Sequence, residues 1–276
     1  MWRNKMRFKR FFNLQEEMEL RDLNGDFLKK AMRLKTFSLT SKDLQSLKYK
    51  KEIQFIVRTA WFPEFDLNNT ISGTKFDKAK HNSTLQALKN IDKTNAGNLI
   101  HYTMSGIGPG EFMFYFMYNE CTIGGGSSKG VDLKIGNNTA ELKSIQVSKT
   151  AKGRIPKGYI NGFFMGGAVD TSKLANKIAI EMKNNGIETG GSGTGLEFGG
   201  AKLDQLKAAS PTKYAQFERE FGRLAKTYFD QETVVFINNN KRDNTYGEIL
   251  HVGPVDARNV RMDVITQGKI KPMVKI

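Results

Sequence analysis

Asp132, Glu141 and Lys143 are the residue types that hydrolysis at a bound cation needs, and they sit close together on either side of Gly136-Asn137-Asn138-Thr139. That tetrapeptide separates two apolar-alternating runs, Val131–Ile135 and Ala140–Val147, which predicts a β-hairpin. A two-residue turn at Asn137-Asn138, or a four-residue loop over 136–139, gives one register. Lys134 then faces Glu141, Leu133 faces Leu142 and Asp132 faces Lys143. Side chains alternate faces, so Val131, Leu133, Ile135, Ala140 and Leu142 form an apolar face and Asp132, Lys134, Glu141 and Lys143 a charged one. In that register Asp132 and Glu141 are diagonal neighbours with Cα atoms roughly 7–8 Å apart, which lets both carboxylates lean onto one divalent ion. Lys143 is placed to orient an attacking water, and the set suits phosphodiester hydrolysis. The same pattern is also that of a solvated hairpin holding two weak cross-strand ion pairs. The bare acid-x-Lys spacing recurs at Glu181, so it decides nothing alone.

The surroundings favour the chemical reading. Glu111 heads the apolar run Phe112–Tyr118 after the Gly106–Gly110 break, where Pro109 suits a first helical turn. A run that is apolar all round predicts a buried helix, whose positive end favours the Glu111 carboxylate. Between Leu142 and Val169 the charges are Lys143, Lys149, Lys152, Arg154 and Lys157, with no acid among them. The whole chain has 276 residues and a net charge of +15, with 15 basic against 7 acidic residues up to position 60. A polyanion is the expected partner, because each neutralised phosphate releases counterions.

Around this centre the chain reads as follows. Residues 1–60 are mostly helical, although Ile53–Trp61 is apolar enough for a strand. Lys75–Ile91 is a helix, Asp92–Asn98 a loop, and Cys121–Ile123 a very short strand. A helix starts at Asp170 or Thr171 and stops at Gly186, and Gly186–Gly200 is a Gly-rich loop. Leu203–Tyr228 is helical, Thr233–Ile237 a strand, and Tyr246–Ile276 a set of short strands with turns. The expected domains are a basic, mostly helical region over 1–100, an α/β core over 101–240 and a β extension over 241–276.

Several classes are excluded. One cysteine, Cys121, allows no disulfide framework or thiolate zinc cluster, and it reads as a core residue. His81, His101 and His251 have no HExxH-type spacing. The Gly-rich stretch holds neither GxGxxG nor a P-loop, and no Gly-x-Ser-x-Gly elbow occurs. No run approaches the roughly 20 apolar residues of a membrane helix, and no h-region follows the basic start, so a soluble, intracellular protein with no membrane partner is expected.

Glu111, the Gly-rich Ile123–Asp132 and Glu141-Leu142-Lys143 together resemble the core of the PD-(D/E)XK nuclease superfamily, over about residues 106–185, with 232–238 as a last core strand. The resemblance implies an α/β fold with a restriction-endonuclease-like mixed sheet flanked by helices. It implies that Asp132, Glu141 and the backbone carbonyl of Leu142 hold Mg²⁺ (or Mn²⁺). Lys143 would position the water, Glu111 would be an outer acid, and Gln146 matches a glutamine that some members carry. Val131 stands where the nominal motif has proline. Lys129, Lys149, Lys152, Arg154 and Lys157 are the nucleic-acid-binding candidates.

The leading expectation is thus a Mg²⁺-dependent nuclease acting on DNA, with RNA the weaker substrate and a homodimer one assembly such an enzyme adopts. The alternative is a non-catalytic DNA-binding or packaging protein, for instance of a virus particle, that keeps the fold without cleavage.

Overall fold

The computed structural model describes residues 41–276 except 105, 125–130, 146–158, 166–168, 193–194, 230–232 and 276. The protein is mixed α/β, with a mixed five-stranded sheet, a three-stranded sheet and a two-stranded one among the described residues. It divides into two compact units, 1–126 with 132–138, and 127–131 with 139–276. No helix among the described residues is long and apolar enough to cross a membrane.

The described helices of the first unit are a single turn α1 (Ser41–Leu44), α2 (Lys50–Trp61), α3 (Lys78–Ile91), α4 (Lys93–His101) and α5 (Glu111–Met117). Ile53–Trp61, which the sequence left open to a strand, belongs to α2. Its buried residues Ile53, Ile56, Val57, Ala60 and Trp61 recur with helical spacing, and burial of that stripe overrides the β-branched composition. The expected loop at Asp92–Asn98 is the start of α4. The Asp92 carboxylate accepts from Asn95 N at 2.8 Å, so one residue ends α3 and caps the next helix.

Helix α5 is the centre of this unit. Phe112, Met113, Phe114, Tyr115, Phe116 and Met117 are all fully buried, at about 1.5–3 kcal/mol for each large apolar side chain. Phe62 stacks on Phe116 at 6.0 Å, and His81 stacks on Phe114 at 4.6 Å. A helix without a solvent face must find internal donors for its last four carbonyls. Each has one: Phe114 O accepts from Tyr118 N, Tyr115 O from Lys50 Nζ, Phe116 O from Gln54 Nε2 at 2.7 Å, and Met117 O from Ile71 N at 2.7 Å. Lys50 and Gln54 are four apart on α2 and therefore share a face. Lys50 Nζ also donates to Cys121 O at 2.9 Å and lies 3.5 Å from the Tyr115 ring centroid. Burial pushes the Lys50 ammonium down to about 7, opposed by the nearby Cys121 and Glu120.

Strands β1 (Cys121–Ile123) and β2 (Leu133–Ile135) pair antiparallel, with Thr122 opposite Lys134. The turn after β2 falls at Gly136-Asn137, one position before the expected Asn137-Asn138, and β3 (Asn138–Ile145) begins at once. Gly136 has φ +57° and Asn137 does not have a positive φ, the pattern of a turn with glycine first. Glycine takes that backbone without strain, so the turn settles on it. The alternation of faces along each strand depends only on parity and does not change when such a turn moves by one position.

In the second unit β3 runs parallel to β7 (Val234–Asn238), placing Glu141 beside Val234 and Lys143 beside Phe236. Antiparallel to β7 lies β8 (Ile249–Gly253). A separate sheet has the order β4 (Tyr159–Asn161), β10 (Lys269–Lys275), β9 (Val260–Thr266). Helix α6 (Ser172–Asn184) buries Leu174, Ala175, Ile178 and Met182, the stripe its spacing predicts. The helical stretch expected over Leu203–Tyr228 forms two helices, α7 (Gly200–Ala209) and α8 (Pro211–Phe229). Pro211 lacks an N–H and disfavours helix at Ser210, yet suits the first position of α8. The Gly186–Gly200 stretch is not all loop. It contains the antiparallel pair β5 (Gly190–Ser192) and β6 (Gly195–Glu197). A Cβ at Gly190 would lie 2.9 Å from Glu197 O, so this pair requires glycine there.

Two outcomes follow. Gly136→Ala should lower the unfolding free energy by about 1–2 kcal/mol in urea titrations, because its positive φ becomes strained while Thr74 is no closer than 3.5 Å. Lys50 carries its proton in the unfolded chain up to about its ordinary value but loses it near pH 7 when folded. The unfolded state thus binds more protons above about pH 7, and stability from this group rises with pH through that window and is lowest below it. Relative to Lys50→Met, wild-type stability should rise by about 2–3 kcal/mol between about pH 6 and about pH 9.

Candidate active site

Strand β3 places Glu141 and Lys143, two residues apart, on one face, as their alternation requires. The strand is fixed at this point by backbone hydrogen bonding, with Glu141 N donating to Thr233 O at 3.1 Å. Lys143 Nζ lies 2.5 Å from Glu141 Oε1, and Tyr228 OH, from the last turn of α8, donates to the same oxygen at 2.9 Å. The ammonium also sits 5.7 Å from the Tyr228 ring centroid. The Glu141 side chain is 6% exposed and that of Lys143 21%. This is no solvated hairpin face: Glu141 is a buried carboxylate, and Lys143 is the member that reaches solvent.

The two carboxylate oxygens are unequal. Oε1 takes both donors, while Oε2 is buried and has no hydrogen-bond partner among the described residues. An unsatisfied buried acceptor costs about 1–3 kcal/mol, and more on a charged group. A hard divalent cation is one group that would satisfy it, since such ions take carboxylate and carbonyl oxygens. Glu141 therefore fits the ligand role expected of it. Leu142, whose carbonyl is the other expected ligand on β3, lies between Glu141 and Lys143 and beside Val235 of β7.

Glu111 and Asp132 belong to the first unit. Glu111 opens α5, where its Oε1 accepts from Gly108 N at 2.9 Å, a local cap at the positive end of the helix. Asp132 is half-buried just before β2, and its carbonyl accepts from Gly124 N at 2.7 Å. Cys121 is fully buried, and burial pushes its thiol up to about 12, which fits a core residue and not a nucleophile. Lys129, Gln146, Lys149, Lys152, Arg154 and Lys157 lie outside the described residues. Among the described residues no group of three or more His, Cys, Asp or Glu side chains is gathered as for a metal ion.

The structure thus joins Glu141 and Lys143 and adds Tyr228, which sequence reasoning missed. Tyr228 lies 87 residues from Glu141 and ends an amphipathic helix whose other aromatics, Tyr214, Phe217, Phe221 and Phe229, are core. Nothing in its local pattern separates it from them. In comparisons with protein-family models, with curated proteins and with solved structures, nothing matches the chain.

Proposed function

We propose that the protein is a divalent-metal-dependent nuclease acting on DNA, with a restriction-endonuclease-like core. The observation that carries this reading is the buried Glu141 carboxylate, one oxygen held by Lys143 and Tyr228 and the other without a partner. On this reading Glu141 Oε2 and the Leu142 carbonyl are ligands of Mg²⁺ or Mn²⁺, and Asp132 is the further acid that the family resemblance implies. The ion, when bound, lowers the pKa of a water and offsets charge developing on the phosphate. Lys143, with its partly exposed ammonium, orients that water and meets the phosphate. Tyr228 keeps Glu141 turned so that Oε2 remains the ligand atom. The +15 net charge supplies the attraction for the polyanion.

A second reading is a DNA-binding protein without cleavage. It is favoured by the Lys143–Glu141 ion pair, which commits the ammonium to a structural partner.

Supercoiled and linear DNA incubated with Mg²⁺, Mn²⁺ or EDTA separates the two. Wild type should cut only with metal, while Glu141→Gln, Lys143→Met and Asp132→Ala should each lose at least about a hundredfold in rate and keep DNA binding. Bound but uncut DNA under every metal condition would leave the second reading standing. Tyr228→Phe should cut, but should need about tenfold more Mg²⁺ for half-maximal rate, because one hydrogen bond to a charged group is lost. The same tenfold loss should appear in Mn²⁺ binding followed by electron paramagnetic resonance without DNA.

A further inference from the structure

The three-stranded sheet β4-β10-β9 has one face in the core and one whose residues are exposed or half-buried. Ile160, Ile270, Val274, Val260, Met262 and Ile265 point inward and are buried. Alternation therefore sends Lys269, Lys271, Met273 and Lys275 of β10 to the other side, at intervals of about 6.8 Å along the strand. The register places Tyr159 opposite Lys275 and Arg261 opposite Met273, so those two share that side. Lys269, Lys275 and Arg261 are exposed, while Lys271 and Tyr159 are half-buried. Lys271 Nζ stands 4.6 Å from the ring centroid of Phe164, which puts a second half-buried aromatic ring beside this face. The acids at hand are Asp263, held by Asn161 Nδ2 at 2.7 Å, Glu197, whose Oε1 accepts from Thr266 Oγ1 at 3.0 Å opposite Lys269, and Asp170, whose carboxyl is lowered chiefly by Ser172 and slightly by Lys269.

We propose that this face binds single-stranded nucleic acid. Four cations follow the phosphates, and the rings of Tyr159 and Phe164 offer stacking surfaces for bases between them. Aromatic rings interleaved with cations are what an unpaired strand needs and a duplex does not, since a duplex hides its base faces. The partner class is that of the nuclease reading, but the inference does not rest on catalysis, because binding can be measured in EDTA.

The test is fluorescence anisotropy of a labelled 20-nucleotide oligo(dT) with the full chain in EDTA at several salt concentrations. The variant K269S/K271S/K275S should bind at least about tenfold more weakly at physiological salt, and its log–log salt slope should fall by about 2, at roughly 0.7 per lost phosphate contact. K42S/K48S/K51S, which removes the same charge from exposed lysines of the first unit, should leave the slope unchanged. Tyr159→Ala and Phe164→Leu should each weaken binding about tenfold, with thermal unfolding used to check that each variant is folded. Ultraviolet cross-linking should map to Tyr159 or Phe164. An equal loss in both lysine triples, an unchanged slope in the sheet variant, or tighter binding of a 20-base-pair duplex would overturn the proposal. Strand binding through this face without any metal-dependent cutting would sink the nuclease reading alone. Cutting with no effect of the sheet variant would sink this inference alone.

Discussion

A helix with no solvent face constrains everything packed around it. In α5 every side chain from Phe112 to Met117 is fully buried, so no water is available to its carboxyl-terminal carbonyls. Each of those groups must be met by protein, and an unmet one would cost a sizeable part of a stability that is small in total. The donors come from a neighbouring backbone segment, Ile71, from the helix's own continuation, Tyr118, and from two side chains one turn apart on α2, Lys50 and Gln54. This explains why a lysine is retained in an apolar core: its ammonium reaches two carbonyls, Tyr115 O and Cys121 O, and so ties α2 both to the end of α5 and to the start of β1. The same burial keeps the Cys121 thiol protonated and inert.

The second unit solves a related problem differently. Glu141 is as inaccessible as the core residues beside it, yet only one of its oxygens is paired. Both available donors, an ammonium and a phenol, converge on Oε1. A structural ion pair gains most when every lone pair is used, and replacing it by apolar residues is often neutral or stabilising. The proposed metal site rests on this half-satisfied carboxylate. Parallel pairing with β7 buries β3 on a central position, and α8 brings Tyr228 to it, so the carboxylate is fixed by two elements distant in sequence.

Much of the local structure was legible because it is set by neighbours in the chain. The all-apolar run after Glu111 is the buried helix it predicts, the Leu174–Met182 stripe forms α6, and the Thr233–Ile237 run forms the strand β7. The structure departs from the local pattern where a single residue or a distant surface decides. Asp92 begins a helix where polar residues suggest a loop, and the α2 stripe is helical because of what it packs against. The hairpin turn moved by one position because Gly136 tolerates a backbone angle that Asn137-Asn138 would have had to share.

The charge of the protein, the elements with strong periodicity, and the placement of Glu141 and Lys143 on one strand face are all written in the order of residues. All of these depend on composition or on spacings of a few residues. Folding is needed to bury this face at Glu141, to bring Tyr228 to it from 87 residues away, and to leave one carboxylate oxygen without a partner among the described residues. It also puts lysines of β10, an arginine of β9 and aromatic rings from around β4 on one side of a sheet. Burial and partnership are properties of the packed chain: they depend on which distant surfaces meet, and no local pattern carries that information.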